Sequence, residues 1–203
     1  MHAPQLTTTT LEVGGVEVHM LNTSTLTPQD FEVALPPSTL QHATTAFKSK
    51  KRQTEWLGVR LLLRHLMGEE VSIGYEPSGA PFLKGSDKQI SISHSGDIVA
   101  LVISNKRVGM DVQGVSDKPL RLKDHFLADE EQSLFSPTLT ALDAVKLWCA
   151  KEAVYKYLSI PETPLIGGIC LAQKDGQVVE TNHGLRIHFH TLGDAVFAVA
   201  CKH

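Results

Sequence analysis

Apolar and polar residues alternate along Val108-Gly109-Met110-Asp111-Val112-Gln113. That period of two predicts a strand with Asp111 and Gln113 on one face. The same alternation marks Ile90-Ser91-Ile92-Ser93, with His94-Ser95-Gly96-Asp97 as the turn and a more apolar strand returning over residues 98–104. Residues 11–22 read as a hairpin about Gly14-Gly15. Trp56, Val59, Leu63 and Leu66 keep helical spacing. They belong to a helical stretch that Ser38 caps, that breaks near Lys48 to Lys51, and that Gly68 ends. A short helix is expected over residues 28–34, stopped by Pro36-Pro37. Residues 71–75 form a short strand before the turn at Pro77-Ser78-Gly79.

The second half repeats this style. Residues 120–127 and 128–135 suggest short helices, the second opening with Asp129, Glu130 and Glu131 as suits a helix N-terminus. Thr140-x-x-Asp143 has the form of a capping box and opens a helix to Leu158. Strands are expected over residues 168–174, 177–180, 185–191 and 195–201, with Asp175-Gly176 as a tight turn. Helices mixed with mainly antiparallel strands imply an α+β fold. Two packed subdomains, residues 1–105 and 106–203, meet near residue 106.

Composition narrows the function classes. The 203 residues suffice for one large or two small cores. A net charge of −3 gives no global basic field for nucleic acid or an anionic membrane. No apolar run approaches a membrane span. Cys149, Cys170 and Cys201 form no CxxC pair, which favours free thiols in a reducing cytoplasm. Met1-His2-Ala3-Pro4 has neither basic nor apolar leader character, so no signal peptide is expected.

Candidate chemistry concentrates in two segments. Asp111-Val112-Gln113 offers oxygen ligands at alternate positions, and Trp148-x-x-Lys151-Glu152-Ala153-x-x-Lys156 sets a carboxylate and an ammonium one helical turn apart. Mg²⁺ takes one or two carboxylates with water and substrate phosphate, a count that Asp111 and Glu152 meet. Alone, each segment is more often a strand end or a solvated helix face. Ser93-His94-Ser95 lacks the strand-to-helix elbow of a serine hydrolase and suits a turn or a phosphate contact. Lys48, Lys50, Lys51 and Arg52 form a basic run that, with Arg60 and Arg64, suits a small multiply charged anion. His188 and His190 alternate near His183 with no third ligand at clear spacing, so edge-strand histidines are the default over zinc.

In order, Gly79-Ala80-Pro81, Ile90-Ser-Ile-Ser-His-Ser95, Val108-Gly-Met-Asp-Val-Gln113 and Leu147-Trp-Cys-Ala-Lys-Glu-Ala-Val-Tyr-Lys156 resemble the motifs of the 4′-phosphopantetheinyl transferases, larger surfactin-synthetase-activating type. The resemblance runs from about Thr45 to Leu158. It implies a pseudo-twofold pair of similar α+β subdomains, a monomer, with coenzyme A in the cleft between halves. The implied reaction moves the phosphopantetheine arm of coenzyme A to a serine hydroxyl of an acyl or peptidyl carrier protein and releases adenosine 3′,5′-bisphosphate. Mg²⁺ is the implied cofactor, bound by Asp111 and Glu152, with Gln113 as a direct ligand or the holder of a ligand water. Glu152, or a water it orients, takes the serine proton; Lys156, with Lys151, balances charge on the leaving phosphate. His94 with Ser93 binds the 3′-phosphate, supported by Arg52, Lys51, Arg60 and Arg64, while Gly79 and Pro81 keep a nucleotide-side turn. Two positions depart from the family. Gln113 stands where a Glu is frequent, and Ala80 replaces the Lys of a Gly-Lys-Pro turn, for which Lys84 is a candidate substitute. A non-catalytic binder of coenzyme A or carrier protein is the alternative. Carrier docking is expected near Lys118, Arg121 and Lys123.

Overall fold

The computed structural model describes residues 6–68 and 71–202. The reading of Met1 to Pro4 as no leader lies outside them. Strands β1 (Thr8–Val13) and β2 (Val16–Asn22) form the expected hairpin. Pairing of Val13 with Val16 leaves a two-residue turn, and Gly14 and Gly15 both take positive φ, 62° and 79°. That backbone matches the twist of the flanking strands and favours glycine.

Three helices follow: α1 (Pro28–Ala34), α2 (Pro37–Ala46) and α3 (Lys50–Met67). The expected cap at Ser38 is corrected, because Pro37 already occupies the first turn of α2, where its missing N–H costs nothing. The break falls at Phe47 to Ser49, and the Ser49 side chain accepts from the Arg52 amide to start α3. Strands β3 (Ser72–Tyr75) and β4 (Pro81–Lys84) make a separate two-stranded sheet. β4 has no strand signal in the sequence beyond its short apolar core, since a leading Pro demotes such a run.

β5 (Gln89–Ser95), β6 (Ile98–Ser104) and β7 (Val108–Gly114) come next. Pairing of Ser95 with Ile98 corrects the expected turn: His94 and Ser95 are strand residues, and only Gly96 and Asp97 turn the chain. The two short helices expected after β7 become α4 (Asp117–Arg121) and single 3₁₀ turns at Lys123–His125 and Asp129–Ser133. The long helix α5 (Ala141–Leu158) starts at Thr140, whose Oγ1 accepts from the Asp143 amide while Asp143 accepts from the Thr140 amide. β8 (Leu171–Lys174), β9 (Gln177–Glu180), β10 (Leu185–Leu192) and β11 (Ala195–Cys201) close the chain. β8 begins at Leu171, later than residue 168.

The fold is α+β, with a four-stranded antiparallel sheet ordered β1-β2-β6-β5 and a five-stranded one ordered β7-β11-β10-β9-β8. Helix α3 packs on β6 of the first sheet and α5 on β7 and β11 of the second. Val99 and Leu101 of β6 pack in the cluster under α3, whereas Ala100 and Val102 point the other way. Likewise Val196 and Ala198 of β11 pack under α5, and Ala195, Phe197 and Val199 point away from it. The residues turned from the helices meet in one cluster with Met110 and Val112, so each sheet is covered on both faces. Burial on both faces explains why β6 and β11 are continuous apolar runs and not alternating ones.

Candidate functional site

β7 and α5 bring the first two candidates together. Met110 and Val112 of β7 are committed to the cluster between the sheets, which turns Asp111 and the more open Gln113 to the face that carries α5. Gly109 permits the close approach. A Cβ there would lie 2.6 Å from the Tyr157 amide nitrogen and closer still to the Ala153 carbonyl oxygen. With strand and helix in contact, Lys156 Nζ donates to Asp111 Oδ1 at 2.7 Å and to the Met110 carbonyl at 3.1 Å. Glu152 lies one turn earlier on α5. Burial pushes its carboxyl up, repulsion from Asp111 adds to that, and Lys156 acts against it. Two acidic groups from separate elements thus face one ammonium. The Cys149 thiol, buried on α5, is pushed well up by burial and by the same Asp111.

His94 stands next to this group on β5. Its Nε2 is 2.5 Å from Arg52 Nη1, and its Nδ1 is 3.5 Å from Glu55 Oε1. Arg52 also reaches Glu55 at 3.3 Å. Burial holds the imidazole below its ordinary value; Glu55 and Asp111 counter this, while Arg52 and Lys156 add to it. A guanidinium can only donate, so Nε2 is the accepting nitrogen in the contact with Arg52. The sequence reading missed Glu55. Its only local signal is the Arg-x-x-Glu spacing on α3, which looks like any surface ion pair, yet Glu55 is 8% exposed.

Ser93 joins the site differently from expectation. Its hydroxyl donates to Asp111 Oδ1 at 2.6 Å and accepts from the Val112 amide, inside the protein. A nucleophilic role for it has no elbow either, since β5 turns directly into β6. Lys151 is a correction. It is fully buried, and its Nζ donates to Glu131, to the Leu165 carbonyl at 2.7 Å and to the Ile169 carbonyl at 2.6 Å. Glu131 in turn accepts from the Ala128 and Leu171 amides. Lys151 staples the loops beside α5 and does not face Asp111.

The remaining basic residues divide. Lys51 is exposed on α3. Arg60 stacks over Trp56 at 3.2 Å, and with Arg64 and Lys84 it lines a cavity of about 530 Å³ between α2, α3 and β3. Burial lowers the Arg60 guanidinium; a hydrogen bond with Tyr75 acts against this, and nearby Arg52 adds a smaller lowering. Gly79, at φ 85°, makes the turn that leads to Pro81 and β4, which lies against β5. His183 is tied to Glu180 at 3.2 Å. Among the described residues, no three His, Cys, Asp or Glu side chains group as a metal site. Mg²⁺ needs fewer protein ligands than that. Asp111 and Glu152, two mutually repelling carboxylates with the Gln113 amide close by in sequence, are a donor set of the right hardness and charge.

A model of the 4′-phosphopantetheinyl transferase superfamily matches residues 107–194. The match takes in Asp111, Glu152 and Lys156. Over 134 residues the chain is 31% identical to the 4′-phosphopantetheinyl transferase AcpT of Escherichia coli O157:H7, covering 60% of this chain and 64% of that protein. It is 27% identical over 116 residues to the AcpT proteins of Salmonella typhi and Salmonella typhimurium, covering 52% of this chain and 58% of each relative. The chain thus spans about three fifths of the length of the curated relatives it matches. No helix among the described residues is long and apolar enough to cross a membrane.

Proposed function

We propose that this chain is a 4′-phosphopantetheinyl transferase. It moves the phosphopantetheine arm of coenzyme A to a serine hydroxyl of an apo acyl or peptidyl carrier protein, and adenosine 3′,5′-bisphosphate leaves. The observation that carries the reading is the meeting of Asp111, Glu152 and Lys156 across β7 and α5, beside His94 and Arg52. Similarity to the AcpT transferases supports it.

Asp111 and Glu152 would hold Mg²⁺, with oxygen from Gln113 or from a water it holds, and the bound ion would supply charge neutralisation at the pyrophosphate. Glu152 accepts the proton of the carrier serine as its oxygen bonds to the β-phosphorus and the bridging P–O bond breaks. A positioned base typically contributes about 10²–10⁴-fold. Lys156 stays on Asp111 and balances charge on the departing phosphate. The His94–Arg52–Glu55 group takes the 3′-phosphate: a dianion at Nε2 displaces the guanidinium contact and favours the protonated ring, which Glu55 then stabilises. Arg60, Arg64 and Lys84 support the nucleotide end from the adjoining cavity, with Lys51 and the Gly79–Pro81 turn as further contacts to that end. Lys118 and Arg121 on α4, beside exposed Val115 and Leu122, offer a docking face to an acidic carrier.

We further read residues 1–105 and 106–203 as paired subdomains of a cytoplasmic monomer of the larger, two-half type. The test is incubation with apo carrier protein, coenzyme A and Mg²⁺, read by mass spectrometry. A phosphopantetheine mass gain on the carrier, lost on chelation, is expected. No gain on any of several carriers, with coenzyme A still bound, would leave the chain a non-catalytic binder.

A further inference from the structure

β5 and β7 are edge strands of different sheets, yet they run side by side. An unpaired strand edge leaves a row of donors that burial makes costly. Here the row is satisfied by hydroxyls. Ser91, Ser93 and Ser95 share one face of β5, and their Oγ atoms accept from the amides of Met110 at 2.9 Å, Val112 at 3.2 Å and Gly114 at 2.9 Å. Three serines at alternate positions thus sew one sheet to the other. The register is constant, because each hydroxyl meets the amide nineteen residues later in the chain.

The middle serine has a second bond. Its hydroxyl hydrogen goes to Asp111 Oδ1 at 2.6 Å, the same oxygen that takes Lys156 Nζ at 2.7 Å. Ser93 is 5% exposed. Neighbouring residues of a strand point to opposite faces, so β5 sends His94 to Arg52 and Glu55 and Ser93 to Asp111.

Resting on the transferase reading above, we propose that Ser93 is a positioning residue for the metal-binding carboxylate and makes no contact with the 3′-phosphate. Its hydroxyl, from the first sheet, and Lys156, on the helix of the second, fix Oδ1 and leave Oδ2 to hold the cation. The geometry of the metal site is therefore locked to the junction between the sheets. Partners that orient a ligating carboxylate typically set about 10–100-fold in metal affinity.

Mn²⁺ serves as the probe, with binding read by electron paramagnetic resonance on the intact chain in the presence of coenzyme A or dephospho-coenzyme A. Ser93→Ala should weaken Mn²⁺ about 10-fold or more, equally with both nucleotides. Ser93→Thr, which keeps the hydroxyl, should recover most of the affinity. Ser91→Ala and Ser95→Ala each remove one stitch without touching Asp111 and should lose thermal stability with Mn²⁺ affinity unchanged. Should Ser93→Ala fail to fold, Ser93→Cys keeps the volume with a weaker donor and should still bind Mn²⁺ more loosely. Wild-type Mn²⁺ affinity in the Ala or Cys variant overturns the proposal, as does an equal loss at Ser91 or Ser95. A loss confined to coenzyme A, sparing dephospho-coenzyme A, assigns Ser93 to the phosphate instead and overturns it too. Wild-type protein that binds Mn²⁺ but labels no carrier counts against the transferase and not against Ser93. Wild-type protein that binds no Mn²⁺ removes the positioning role itself.

Discussion

Gly109 offers a severe test of how the site is assembled. Ordinary van der Waals contact begins near 3.4 Å, while a Cβ at this position would stand 2.6 Å from the Tyr157 amide nitrogen. In Gly109→Ala, α5 must therefore retreat from β7 by at least 3.4 − 2.6 = 0.8 Å, and by more at the Ala153 carbonyl, which is nearer. Both obstacles are backbone, so no side chain can swing aside. Overpacking of this kind typically costs about 1–3 kcal/mol. For a chain of this length that lowers the melting temperature by roughly 2–12 °C. The same retreat stretches the 2.7 Å Lys156–Asp111 contact to about 3.5 Å and carries Glu152 away with it. A misplacement near 1 Å costs on the order of 10²-fold in rate. Thermal unfolding followed by circular dichroism, with the carrier mass assay on the folded fraction, reads both effects. A Gly109→Ala protein with unchanged melting and unchanged turnover would refute the claim that this approach builds the site.

Other outcomes follow from the same contacts. Glu152→Gln should cut transfer by about 10²–10⁴-fold with coenzyme A binding intact, and wild-type turnover would remove Glu152 from the chemistry. In chelator, the same variant should melt higher than wild type at neutral pH. A folded-state value raised above the ordinary 4.5 means that the folded protein binds more protons than the unfolded chain. Wild-type stability from this group accordingly falls as pH rises through the window above 4.5, so the advantage of Gln should vanish below it. Lys151→Met should destabilise by about 3–5 kcal/mol by leaving Glu131 buried and unpaired, and the paired Lys151→Met/Glu131→Gln change should recover much of that; a loss of turnover in folded protein without a loss of stability would return Lys151 to the catalytic set. His94→Ala should weaken coenzyme A more than dephospho-coenzyme A in calorimetry, whereas equal losses would unseat the phosphate assignment.

Much of the candidate site was legible in the amino-acid sequence alone. Alternation on β7 put Asp111 and Gln113 on one face, and i, i+4 spacing on α5 put Glu152 and Lys156 on another. The capping box at Thr140, the Gly14-Gly15 turn and the break before α3 all express local backbone preferences, and local preference is what a sequence window records.

Side-chain partnerships followed a different rule. Lys151 and Glu152 are adjacent in sequence, yet one is sealed against Glu131 and two carbonyls while the other faces Asp111, because a turn of about 100° per residue sends neighbours on a helix to different surroundings. Glu55 shows in its own helix only the Arg-x-x-Glu spacing of an ordinary ion pair, and joins the site through His94 on a distant strand. The alternating serines of β5 announced a half-buried strand, but not that a second sheet would lie along its edge and use their hydroxyls as a ladder. By itself, the sequence determined most of the elements, their faces and the residue types able to carry charge. Only the tertiary structure decided which charges meet, since burial and close approach depend on what the far ends of the chain bring to the same place.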